Sequence, residues 1–179
     1  MSAQMINGRR LEVVIGDITT QDLDAIGNAA NAALRGGGGV DGAIHAAAGP
    51  ELMAELRREH PDGTPTGTAV ATGGHRLSAS WIFHAVGPVW RGGNQGEAEL
   101  LADAYRSCLR LADEHQAHSL GLPAISAGIY AYPLPDAARI ALRTVAEHLR
   151  GETSLGLVRF VVRDAIAPHF EAALGELED

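Results

Sequence analysis

The chain contains no lysine; all fourteen basic residues are arginine. A P-loop needs its lysine, so a Walker-type NTPase is excluded. Schiff-base and pyridoxal phosphate chemistry need a lysine amine and are excluded with it. There is one cysteine, Cys108, so no internal disulfide can form. It lies in a helical-looking run, ELLADAYRSCLRLADEH, and reads as a buried helix position rather than a nucleophile. The eight histidines are scattered, with neither an HExxH pair nor a Cys/His cluster, so no metal is expected. His115 and His118, the closest pair, read as exposed polar residues. No run approaches the roughly 18 apolar residues that a membrane span needs. The opening MSAQMINGRRLEVV lacks the apolar core of a signal peptide, so no membrane partner and a cytoplasmic location are expected. The net charge of −8 denies the chain the broad basic field that non-specific nucleic-acid binding requires. An anionic small molecule stays open, because backbone N–H groups bind phosphate without net positive charge.

The 179 residues, 46% hydrophobic and 20% charged, suit one globular domain over 1–179. Val13 to Ile15 reads as a strand, and Asp24 to Ala29 as a second. Gly27 weakens that second strand and points to close backbone approach. Helices are predicted over Val40 to Ala48 and Glu51 to Glu59, the latter ended by Pro61-Asp62-Gly63. Strands follow at Thr68 to Thr72 and Trp81 to Val86. Glu97 to Glu114 carries Leu100, Leu101, Ala104, Cys108, Leu111 and Ala112 at helical spacing. Ser119 to Ala124 reads as an apolar strand, Asp136 to Leu149 as a helix with Pro135 near its start and Gly151 past its end. Leu157 to Val162 and Ala167 to Leu177 close the chain as strand and helix. Strands alternating with helices give an α/β layered domain, and the clustered helices of the first half suggest a mixed sheet.

The segment NAANAALRGGGGVDGAIHAAAG, residues 28–49, carries the strongest chemical signal. Gly37, Gly39 and Gly42 satisfy G-x-G-x-x-G, but they do not follow directly on a strand as a dinucleotide fingerprint would. A glycine loop that opens onto a helix start is nonetheless a phosphate site, since unpaired N–H groups and a partial positive charge meet there. The alternative is a plain flexible loop. Asp41, in the first helical turn, reads either as a partner of the helix dipole or as a general base beside a phosphate. His45, four residues on, shares its face; it either orients that carboxylate or is a core histidine. A second loop, Ser126-Ala127-Gly128-Ile129-Tyr130, leaves the C-terminal end of an apolar strand, where ligands sit in open α/β sheets. Tyr130 offers a flat face to a sugar or packs in the core. Asp17 either accepts a hydrogen bond from a ligand amine or caps its own turn through Thr19 and Thr20.

Six segments stand in a recognisable order: GDIT at 16–19, NAAN at 28–31, GGGGVDGAIHAAAGPEL at 36–52, TGTAVATGG at 66–74, HAVGPVW at 84–90 and PAISAGIYAYP at 123–133. Together they resemble a macrodomain of the MacroD-like ADP-ribosyl hydrolase class, across nearly the whole chain. The resemblance implies a three-layer α/β/α sandwich around a central mixed β-sheet. It implies ADP-ribose and mono-ADP-ribosylated proteins as partners, admits ADP-ribosylated nucleic acid, and requires no cofactor; a monomer is expected. Asp17, with Ile18 beside it, matches the adenine-binding position. Asn31 matches the asparagine that holds the distal ribose. The backbone of Gly37, Gly38, Gly39 and Val40 matches one diphosphate loop. Ser126, Ala127, Gly128, Ile129 and Tyr130 match the other, with Tyr130 against the distal ribose. Asp41 matches the acidic residue linked to hydrolysis.

The activity so implied is release of mono-ADP-ribose from acidic side chains and deacetylation of O-acetyl-ADP-ribose, without a metal. A water held near Asp41 or Asn31 and the diphosphate attacks at the distal ribose or at an acyl group on it. The alternative is a reader that binds ADP-ribose without turnover. The chain departs from the family pattern at Gly27, which replaces a bulky aliphatic and is expected to loosen the strand beneath the site. It departs again at Ala127, which replaces a threonine. After the last strand no aromatic appears until Phe170, where a ring often stacks on adenine, so either adenine affinity is reduced or Ala165 and Ile166 form an apolar wall instead.

Overall fold

The computed structural model describes residues 2–178. Seven strands form one mixed sheet: β1 (Ser2–Ile6), β2 (Arg9–Ile15), β3 (Ala25–Ala30), β4 (Ala69–Gly73), β5 (Trp81–Val86), β6 (Ser119–Leu122) and β7 (Leu157–Val162). Their order across the sheet is β1-β2-β7-β6-β3-β5-β4. The five inner strands run parallel, while β1 and β4 are antiparallel edges. The C-terminal ends of β2, β7, β6, β3 and β5 therefore share one edge of the sheet, where open α/β sheets bind ligands.

Helices cover both faces, giving the three-layer α/β/α arrangement. One apolar cluster joins Phe83, Leu120 and Phe160 of the sheet to α3 (Glu97–Glu114), α4 (Leu134–Arg150) and α5 (Ala167–Gly175). The other joins Ile26, Ile82, Val86 and Val161 to α1 (Gly39–Ala48) and α2 (Pro50–Glu59). The division follows the period of two in a strand: Ile82 faces α1 and α2, Phe83 the opposite layer. Full burial of each large apolar side chain contributes about 1.5–3 kcal/mol. Cys108 lies fully buried in α3, and burial pushes its thiol up to about 12. Among the described residues no helix is long and apolar enough to cross a membrane.

The structure corrects several expectations. The N-terminal segment forms a hairpin, so β2 begins at Arg9 rather than Val13. Asn7 and Gly8, at φ 49° and 78°, make the tight left-handed turn between its strands. Strand β6 stops at Leu122, because Pro123 has no N–H to extend the ladder. Helix α4 starts at Leu134, with Pro135 inside its first turn, and α5 ends at Gly175. His115 is not a free polar residue: it caps the C-terminus of α3, and its ring stacks on Trp81 at 4.1 Å. Strand β3 pairs with β5 without interruption through Gly27. A Cβ there would lie 2.9 Å from Leu122 Cδ2, so its absence lets β3 and β6 pack closely.

Glu97 opens α3 and holds the preceding loop, accepting from the N–H groups of Arg91, Gly93 and Gln95. Burial raises its pKa, but these hydrogen bonds outweigh burial and hold it below the ordinary 4.5. A lowered folded pKa stabilises the protein above the unfolded value, and that stability is lost as pH falls through the folded one. Glu97→Gln is thus expected to lower the melting temperature at neutral pH. In a melting series against pH, the gap to the native chain should narrow below about pH 4.5.

Candidate functional site

A cleft of about 310 Å³ opens at the C-terminal edge of the parallel strands. Ala30 and Asn31 reach it from the end of β3, Gly87 from the end of β5, and Ala124 to Ser126 from the end of β6. The start of α1 forms the opposite wall. Of the residues singled out in the sequence, the cleft gathers Asn31, Gly37, Gly38, Gly39, Val40, Asp41, Ser126, Gly128, Ile129 and Tyr130. Asp17, Ile18, His45 and Ala127 are not among its lining residues. Gly87, within the HAVGPVW segment, lines the cleft as well, although no role is expected of it from the sequence.

Helix α1 has Gly38 at its N-cap, and no side chain caps it. The polypeptide N–H groups of its first turn are therefore left to a ligand or solvent. The glycine run that precedes it is held by Asn31, whose Nδ2 donates to the Gly36 carbonyl at 2.8 Å. Gly37 sits between the two polar side chains of interest: a Cβ on it would lie 3.4 Å from Asp41 Oδ2 and 3.7 Å from Asn31 Nδ2.

Asp41 is 6% exposed. Its Oδ1 accepts from Asn28 Nδ2 at 2.8 Å, and His45 Nε2 stands 3.4 Å from the same oxygen. Helical spacing brings His45 there, one turn further along α1. Oδ2 makes no hydrogen bond among the described residues, and it is the oxygen on the side of Gly37. Asn28 is fully buried in β3 opposite His84 of β5, its partner in register. Asn28 Nδ2 lies 3.0 Å from His84 Nδ1, and His84 Nε2 lies 2.9 Å from Thr72 Oγ1 on β4. Burial above all, then the neighbouring His45, His60 and His75, pushes the His84 pKa down to about 3, so its ring is neutral at physiological pH. Asn28 Oδ1 is buried without a partner among the described residues. Such an unpaired acceptor costs about 1–3 kcal/mol.

The second loop is shaped by backbone rather than side chains. Ser126 has φ 63°, and its Oγ donates to the Pro88 carbonyl at 2.7 Å, so its hydroxyl proton is held by the protein. The loop closes on itself through Tyr132 N to Ser126 O and Ala131 N to Gly128 O. Trp90 N donates to the Tyr130 carbonyl, tying this loop to the segment after β5. Ile129 is almost fully exposed, at 97%. Ala127 is half-buried.

Asp17 caps the short 3-10 turn Ile18–Thr20; its Oδ1 accepts from Thr19 N at 2.9 Å and Thr19 Oγ1 at 2.7 Å. Those hydrogen bonds, aided by Arg163, hold its carboxyl below the ordinary range. The capping alternative is thus what the structure contains, and Oδ2 remains without a partner among the described residues. Ile18 is buried in the cluster beneath α1. Phe170 is fully buried against Phe160, ring centroids 5.3 Å apart, so it offers no face to a ligand. Ala165 is exposed, and Ile166 packs against the core below α5.

Comparison with known proteins gives a consistent set of relatives. The family model described as Macro domain matches residues 27–141. An O-acetyl-ADP-ribose deacetylase of Salmonella gallinarum is 52% identical over 157 residues, covering 87% of this chain and 88% of that protein. A macrodomain of Oceanobacillus iheyensis, solved with ADP, is 40% identical and superposes with a TM-score of 0.91, covering 97% of this chain and 94% of that one. A Trypanosoma brucei macrodomain in complex with ADP-ribose is 38% identical, with a TM-score of 0.85, covering 92% of this chain and 69% of that one.

Proposed function

The chain belongs to the Macro domain family, and from that premise we propose that it binds ADP-ribose and hydrolyses esters on its distal ribose. The substrates are O-acetyl-ADP-ribose and proteins mono-ADP-ribosylated on acidic side chains. The observation that carries this reading is the disposition of Asp41. One carboxylate oxygen is held by Asn28 and flanked by His45, while the other faces the cleft beside Asn31.

The diphosphate lies against the glycine run Gly37 to Gly39 and the uncapped start of α1, where N–H groups and the helix dipole favour an anion. The backbone of Ser126 to Tyr130 closes over it from the second loop. Asp17 and Ile18 stand at the end of β2, on the same edge of the sheet, where the adenine amine can reach the Oδ2 of Asp17. A site built to accept that hydrogen bond rejects a base with an oxygen in its place.

Asn31 and Asp41 then flank the distal ribose. Asp41 Oδ2 takes a proton from a water molecule as its oxygen attacks the acyl carbon. The bond from that carbon to the ribose oxygen breaks, and the ribose oxygen takes up the proton. The products are free ADP-ribose and a carboxylate: acetate in one case, a protein side chain in the other. Orientation and a preorganised anion clamp contribute most of the rate.

The test is incubation with O-acetyl-ADP-ribose and with a glutamate-modified protein in 18O-labelled water, with calorimetry on free ADP-ribose. The expected result is release of ADP-ribose from both, unaffected by EDTA, with the label in the carboxylate. Label in the ADP-ribose instead would move the attack to the ribose carbon. Tight binding without release would make the chain a reader, and neither binding nor release would overturn the reading altogether.

A further inference from the structure

We propose that His84, buried in β5 and not among the residues that line the cleft, is a positioning residue for Asp41, acting through the amide of Asn28. The inference rests on the reading of Asp41 as the group that takes the proton. Thr72, His84 and Asn28 occupy three adjacent strands on the face that carries Ile26, Ile82 and Val86, beneath α1 and α2. A polar row is costly on such a face unless its members are paired. Here each contact points toward the next and the row ends on Asp41.

The hydrogen-bond directions are determined by elimination. Thr72 Oγ1 donates to the Gly73 carbonyl and therefore accepts from His84 Nε2–H. The ring is neutral, so Nδ1 carries a lone pair and accepts from Asn28 Nδ2. The other N–H of the same amide goes to Asp41 Oδ1. Turning the amide over would set its oxygen against both the imidazole lone pair and the carboxylate. The observed orientation leaves Asn28 Oδ1 buried and unpaired, so the pull on the two N–H groups outweighs the unpaired acceptor. His84 thereby commits Asn28 to Asp41 Oδ1, and that commitment turns Oδ2 toward Gly37 and the substrate.

This assigns His84 an effect on turnover without an effect on ligand binding. Misplacing a reacting group by about 1 Å can cost ~100-fold in rate. His84→Phe fills the volume but removes the acceptor; kcat on O-acetyl-ADP-ribose should fall by roughly 10- to 100-fold. Calorimetric affinity for free ADP-ribose should hold within about twofold, since the lost positioning acts on the transition state and not on the contacts that bind the ligand. His84→Asn keeps an acceptor near the Nδ1 position and should recover much of the loss. Thr72→Val, which removes the acceptor for Nε2–H at nearly constant volume, should lower kcat in the same direction by less; it decides the matter if His84→Phe does not fold. Asp41→Ala runs alongside. If Asp41→Ala loses activity while His84→Phe and Thr72→Val keep theirs within about twofold, the positioning role is overturned and the role of Asp41 stands. Parallel losses of kcat and ADP-ribose affinity would also overturn it, because His84 would then be supporting the whole cleft. If Asp41→Ala remains fully active, the reading beneath the proposal is what fails.

Discussion

Asp41→Ala is expected to lower the turnover of O-acetyl-ADP-ribose by about 10²–10⁴-fold, the usual contribution of a positioned general base. Affinity for free ADP-ribose should change by no more than about threefold, because the lost interaction belongs to the transition state. The geometry supports this split. The carboxylate reaches the cleft beside Asn31, whereas the proposed diphosphate clamp is built from glycine backbone and the start of α1. Removing the carboxylate also removes a negative charge from the first turn of α1, worth about 0.3–1 kcal/mol. It leaves a buried Asn28 N–H without its partner, which costs about 1–3 kcal/mol. The variant should therefore melt some degrees lower and still fold. Single-turnover kinetics beside calorimetry separate the effects. Unchanged turnover with intact binding would remove Asp41 from the chemistry, and loss of both together would make it a structural residue of the loop.

Much of the fold is legible in the sequence because its periods are strong. Leu101, Ala104, Cys108 and Leu111 mark the buried stripe of α3, and its ends fall at Glu97 and Glu114 as the spacing predicts. Strands β5 and β7 are likewise bounded as expected. The N-terminal edge strand is hard to see in the sequence because β1 packs weakly: Ser2 to Met5 alternate between half-buried and exposed, with Met5 60% exposed, and only Ile6 is buried. Its signal lay in the turn, since Asn7-Gly8 is the dipeptide that a two-residue hairpin favours.

The candidate site divides along the same line. The glycine run, Asp41 and His45 could be related along the chain, because the helical period puts residues four apart on one face. His84 and Gly87 could not. His84 reads as one residue of an apolar strand, and its importance comes from the register that sets it opposite Asn28. Gly87 matters because a Cβ there would collide with Ile125 and Ser126 of a loop nearly forty positions further along the chain. The family resemblance implies Asp17 as an adenine contact, whereas the residues around it point equally to the capping role that the structure contains. Pairing across strands and contact between distant loops are properties of the tertiary arrangement, and no local pattern encodes them.

Gly42→Ala should weaken ADP-ribose binding by about tenfold or more, although the substitution favours the helix by up to about 1 kcal/mol. Gly42 lies on the first turns of α1, with the glycine run folded back against it. A Cβ at this position would stand 2.6 Å from the Gly37 carbonyl oxygen. That atom belongs to backbone and cannot rotate out of the way, so the loop must shift, and overpacking of this kind costs roughly 1–3 kcal/mol. The clash therefore outweighs the gain in propensity, and the melting temperature should fall. The loop that shifts is the one that carries Gly37 between Asn31 and Asp41, so binding and turnover should fall together. Gly38→Ala is the control. A Cβ on Gly38 meets nothing within 4 Å and its φ is −95°, so melting should be unchanged. Any loss of affinity in Gly38→Ala then reports the ligand approaching the backbone, not damage to the loop. A Gly42→Ala chain that melts higher and binds ADP-ribose normally would mean the glycine run is not held against α1. The diphosphate would then have to be clamped from the second loop alone.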